Sequence, residues 1–128
     1  MLIRSEQMDV FKVAAAESFE QRMIIHVTKH FTEQTRHGTQ EQIRNAVRQG
    51  VLAAQRYGMV SERHVAKYID ISMLLGLDFD SGSDYPWATE ILNHANLTAT
   101  DKLDALINEI RQAVHGDVER RALADEVS

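Results

Sequence analysis

The side chains best able to do chemistry in this chain are its six histidines, since imidazole is both a common metal ligand and the group that titrates nearest neutral pH. His26 and His30 stand four apart, which places them on one helical face, and His37 follows shortly after. A zinc-protease helix needs a glutamate directly after the first histidine to act as general base, and Val27 occupies that position. Histidines at the rim of a helix end account for the same spacing. The run Asp78, Asp80, Ser81, Gly82, Ser83, Asp84 offers alternate oxygen donors of the kind calcium takes. Its register fails: counted from Asp78, Ser83 stands where the turn glycine belongs and Thr89 where a bidentate glutamate is required. Capping of the following helix by Ser83 or Asp84 explains these residues with less.

Other chemistry is poorly supplied. Asp70 is the one acid embedded in a strongly apolar helical run, so it is expected at an edge or paired with a basic side chain. There is no cysteine, which removes disulfides, thiolate metal sites and thiol nucleophiles. Neither a Gly-x-Ser-x-Gly elbow nor a glycine-rich phosphate loop occurs. The sequence therefore assigns no catalytic residue, no metal and no cofactor, and it points away from an enzyme.

Residues suited to recognition are easier to find. Arg44, Arg48 and Arg56 share the polar face of one helix and could meet an acidic partner bidentately, although such a row is commonly just a solvated face. Tyr85 and Trp87 flank Pro86 beside an irregular segment, where they could anchor a partner or close the end of the core. These five are the candidate partner-binding residues.

The elements that must position them are helical throughout. Met8, Phe11, Ala15, Phe19, Met23 and Val27 recur every three or four residues from Ser5, a fitting N-cap, to Phe31, and a break is expected at Thr35 to Gly38 with Gly38 left-handed. Thr39 and Gln42 form a capping box ahead of a second helix with an apolar face of Ile43, Ala46, Val47, Gly50, Val51, Ala54 and Tyr57, closed by Gly58. Gly50 sits in mid-helix at about 1 kcal/mol relative to alanine, which implies the close approach of another helix. Ser61 caps a third helix with the face Val65, Tyr68, Ile69, Ser72, Met73 and Leu75, ended by Gly76. Because residues 70–77 are apolar nearly all round, this helix is expected to be central and buried on more than one side.

A long connection then leads to Pro86 and a short helix holding Trp87, Ile91 and Leu92. The last helix starts at Thr98 or Thr100, carries Leu103, Leu106, Ile107, Ile110, Ala113 and Val114, and is expected to stop before Gly116. No strand alternation or hairpin dipeptide competes. The expectation is an all-α fold, a single compact bundle of about five helices over residues 1–116, with residues 117–128 as a frayed helix or disordered tail.

With 128 residues, 44% hydrophobic and 26% charged, the chain has the balance of one ordinary globular domain. The net charge of −5 is unevenly placed: residues 1–60 hold eight Lys/Arg against six Asp/Glu, and residues 61–128 hold six against thirteen. An acidic second half repels a phosphate backbone and argues against nucleic acid as the main ligand. No apolar stretch is long enough for a membrane span or a signal-peptide core, so a cytoplasmic location is expected.

The middle of the chain carries Arg56-Tyr57-Gly58, then Glu62, Val65 and Tyr68, then Leu74-Leu75-Gly76, Asp78-Phe79-Asp80 and Pro86-Trp87-Ala88. In these features it resembles a family of small bacterial proteins encoded beside type VI secretion effectors and spike components, over most of residues 1–115. The resemblance implies an accessory role, a helical adaptor or co-chaperone that helps an effector or its adaptor reach the secretion spike. It brings no catalytic residues. The expected partner is accordingly a protein: an effector, an adaptor or a spike component. Two other readings stay open, a cytoplasmic immunity protein whose acidic surface meets a toxin's basic site, and, less favoured, a metal-dependent enzyme built on the histidines or the acidic loop.

Overall fold

A computed structural model describes the backbone of residues 17–127 and the side chains of residues 17–114. The stripe positions Met8, Phe11 and Ala15 and the cap expected at Ser5 lie outside the described residues. Within them every regular element is a helix. α1 is described over residues 17–30, followed by α2 (Thr32–Thr35), α3 (Gln40–Arg56), α4 (Glu62–Leu75), α5 (Pro86–Leu92) and α6 (Ala99–Val127). Contacts divide the chain into two compact units, Met1–Asp78 and Phe79–Ser128.

In the first unit, local chemistry sets the helix ends as the sequence requires. Thr39 accepts from the Gln42 amide at 3.1 Å while the Gln42 side chain accepts from the Thr39 amide at 2.9 Å, a complete capping box for α3. Ser61 caps α4 by accepting from the His64 amide at 3.1 Å. At the end of α3 the Met59 amide reaches Ala54 O and the Gly58 amide reaches Gln55 O. This six-to-one and five-to-two pair needs a left-handed residue at the turn, and Gly58 supplies it with φ +84°. Gly76, at φ +111°, terminates α4.

Two boundaries differ from expectation. The break before α3 begins at Phe31, whose φ of −123° and ψ of 55° leave the helix and separate α1 from the single turn of α2. Thr35 donates its hydroxyl to Phe31 O at 2.8 Å, and Gly38 has no positive φ, so no left-handed glycine is needed there.

α1, α3 and α4 build the core of this unit from Phe19, Met23, Ile24 and Val27, from Val47, Ala53 and Ala54, and from Val65, Tyr68, Ile69 and Ile71. The α3–α4 seam turns on Gly50, as its mid-helix position implied. A β-carbon there would lie 2.8 Å from Cγ1 of the fully buried Ile69, so only glycine lets the two backbones approach this closely. Ser72 is buried beside it and satisfies its hydroxyl on Ile69 O at 2.7 Å. α4 is central to the unit, but it is not buried all round: Leu74 is 55% exposed and Leu77 beyond it 45%.

In the second unit α5 packs on α6, with Ala88, Leu92, Leu103 and Leu106 buried. Thr98 proves to be the start of α6, accepting from the Asp101 amide at 3.1 Å. That helix continues through Gly116 to Val127, past the stop expected there. α5 begins at Tyr85 without a side-chain cap, so neither Ser83 nor Asp84 caps it; Pro86 in the first turn has no amide to satisfy.

Candidate functional site

The feature that best fits a site lies in the first unit, where residues of α1 and α4 line an open groove of about 520 Å³. Helical spacing builds it. α1 contributes Phe19, Arg22, Met23 and His26, an i, i+3, i+4, i+7 set; α4 contributes Arg63, Ala66, Lys67 and Asp70, another such set, together with Glu62. The apolar members form the floor, with Phe19 and Met23 buried and Ala66 half-buried. The polar members stand along the rim.

Two polar pairs cross the groove. Arg22 Nη2 donates to both carboxylate oxygens of Glu62, at 2.9 and 3.0 Å. His26 Nε2 and Asp70 Oδ1 lie 2.8 Å apart, both about one-third exposed at 37% and 36%. Asp70 thus sits at an edge and is paired with a basic side chain, as the sequence requires of a lone acid in an apolar run. The second histidine, His30, stacks on His26 with ring centroids 4.7 Å apart and 48° between planes, rather than converging with it on one point. Among the described residues no group of three or more His, Cys, Asp or Glu side chains is placed to hold a metal.

Arg63 and Lys67 complete the rim. Neither makes an ion pair among the described residues. They sit four apart on one face of α4, and Leu74, 55% exposed, continues the same stripe another two turns on. The groove therefore has three permanent cations against two anions, and both anions already have partners.

Two of the arginines on α3 are paired with an acid of α1 while their side chains stay 42% and 58% exposed. Arg44 Nε and Arg48 Nε approach the two carboxylate oxygens of Glu20 on α1 at 3.3 and 2.9 Å. Glu20 is 20% exposed, so one half-buried acid ties down two of the three candidate residues. The hydrogen bond that Arg48 donates to Glu20, and then the charge of Glu20, raise the Arg48 pKa above the ordinary arginine value. Arg56 is exposed in the last turn of α3, away from that pair in sequence.

Tyr85 and Trp87 come together in the second unit, edge to face with centroids 5.7 Å apart, and both are half-buried. Such a T-shaped pair is a favourable aromatic geometry in its own right. In the acidic loop, Asp80 is buried at 6% exposure while Asp78, Ser81, Ser83 and Asp84 face solvent. The Asp80 carbonyl accepts the Thr89 hydroxyl at 2.8 Å.

Sequence reasoning passed over Glu20, Arg22, Arg63 and Lys67, and named Glu62 only within the family resemblance. The partners of Arg22 and His26 are 40 and 44 residues away, beyond any local pattern. The one available signal was the i, i+3, i+4, i+7 spacing of residues 63, 66, 67 and 70, which marks a second, mixed face on a helix whose core face was already assigned.

No family model, curated protein or solved structure matches the chain.

Proposed function

We infer that this chain is a non-enzymatic adaptor or co-chaperone that binds a protein partner through the groove between α1 and α4. The observation that carries the reading is the composition of that groove: an apolar floor of Phe19, Met23 and Ala66 beneath a rim on which Arg63 and Lys67 have no ionic partner among the described residues. An open groove with unspecialised pairs is suited to recognising a side-chain pattern, because interface cores combine apolar contact with a charged rim that sets register and specificity. The resemblance to proteins encoded beside type VI secretion effectors supplies the proposed setting, the bacterial cytoplasm, and the proposed partner, an effector, adaptor or spike component.

No helix among the described residues is long and apolar enough to cross a membrane. A second reading rests on the uneven charge: residues 61–128 carry seven more acids than bases, thirteen against six, and could cover a basic toxin site.

Co-expression with each protein encoded beside it separates these. The adaptor reading expects a stable complex with an effector, adaptor or spike-tip protein, measured by size-exclusion chromatography, and no protection of cells from a toxin. Rescue of toxin-expressing cells would establish the immunity role instead. A chain that elutes alone beside every neighbour would contradict both.

A further inference from the structure

We propose that the occupant of the α1–α4 groove is an amphipathic helical segment of the partner, with two acidic residues three or four positions apart and a large apolar residue about two turns from them. This rests on the adaptor reading and deepens it by specifying the ligand.

Charge complementarity selects an acidic segment. Glu62 and Asp70 are engaged by Arg22 and His26, which leaves Arg63 and Lys67, among the described residues, as the rim cations without an acidic partner. Spacing selects a helix. Residues four apart on α4 present their side chains about 5–6 Å apart at Cβ, the separation that i, i+3 or i, i+4 acids on a facing helix reproduce. An extended segment alternates its side chains to opposite faces and matches that interval less well.

Leu74 fixes the remaining element. It lies seven residues beyond Lys67 on the same stripe, roughly 10 Å along the axis at 1.5 Å per residue, and is 55% exposed. A ligand helix that sets its acids on Arg63 and Lys67 therefore carries its apolar anchor toward Leu74. Phosphate backbones offer charge of the right sign without that anchor. They also meet repulsion from the acidic residues elsewhere in the second half of the chain.

The test is selection of a displayed library of randomised 18-residue helical peptides on the full-length protein, followed by fluorescence anisotropy of the enriched peptides. The expected result is enrichment of Glu or Asp pairs three or four apart with Leu, Ile or Phe about two turns away. Binding should fall at least about tenfold, equivalent to 1.4 kcal/mol, both in R63E/K67E and in the milder R63Q/K67Q. Replacing the peptide acids with glutamine should weaken binding to the wild-type protein in the same way. Absence of enrichment, enrichment without acidic pairs, or wild-type binding by both double variants would overturn the proposal. So would self-association lost in R63E/K67E, which would put a second copy in the groove. If neighbour-encoded proteins still form a complex while this selection fails, the adaptor reading stands and the acidic-helix ligand falls.

Discussion

The two sides of α4 solve opposite problems. Toward α3 the seam is dry and close: Gly50 meets Ile69 with no room for a β-carbon, and Val47, Ala53 and Ala54 fill the rest. Toward α1 an open groove lies between the helices, and Arg22–Glu62 and His26–Asp70 bridge it. A closely packed, buried seam gains stability from every methylene and tolerates little change in volume. A seam of half-exposed ion pairs gains little stability from them, because water competes for each charge. The difference teaches that small buried residues of α3 packed on one face of α4 hold the unit together, while the opposite face of α4 contributes less to that stability.

Substitutions on the α3 side should have the largest effects. Ile69→Ala removes a fully buried side chain, and a loss of roughly 2–5 kcal/mol is expected in urea unfolding. Gly50→Ala tests the seam more sharply. Helix propensity alone favours alanine by about 1 kcal/mol, but overpacking against Ile69 costs typically 1–3 kcal/mol, so net destabilisation is expected. In G50A/I69A the obstructing atoms are gone, and the double variant should be more stable than the sum of the two single losses predicts. Additive losses would mean that Gly50 is not set by Ile69.

A smaller effect is expected where the chain enters this seam. Thr39→Ala removes the acceptor for the Gln42 amide and should cost about 1 kcal/mol, read from the same unfolding curves. Smaller still is the effect on the α1 side. Asp70→Asn breaks the pair with His26 and should change stability by less than about 1 kcal/mol, since both groups are about one-third exposed. A loss comparable to that of Ile69→Ala would erase the contrast between the two sides.

Much of the fold was legible because it is encoded locally. Thr39 with Gln42, Ser61, Gly58 and Gly76 mark ends that a few neighbouring backbone groups decide, and the structure places each as expected. Gly50 was legible for a similar reason, since a costly residue inside a helix implies a packing constraint. The kink at Phe31 was not, because no glycine or proline announces it. Gly116 misled in the other direction, for one glycine inside α6 is tolerated.

The candidate site was less legible than the fold. The arginine row on α3 had the right chemistry for an acidic partner, but Glu20 already engages Arg44 and Arg48. That pairing joins residues 28 apart in the case of Arg48, and only tertiary structure brings them together. Arg63 and Lys67 were hidden for the complementary reason: they belong to no motif, and their significance is that the surrounding acids are taken.

The most direct test of the division between the two sides is to measure R63E/K67E for both stability and partner capture in parallel. The account predicts an unfolding free energy within about 0.5 kcal/mol of wild type, as expected for surface substitutions, together with loss of the complex formed by the wild-type chain with its neighbour-encoded partner. An intact complex, or a collapse of the fold in that variant, would contradict it.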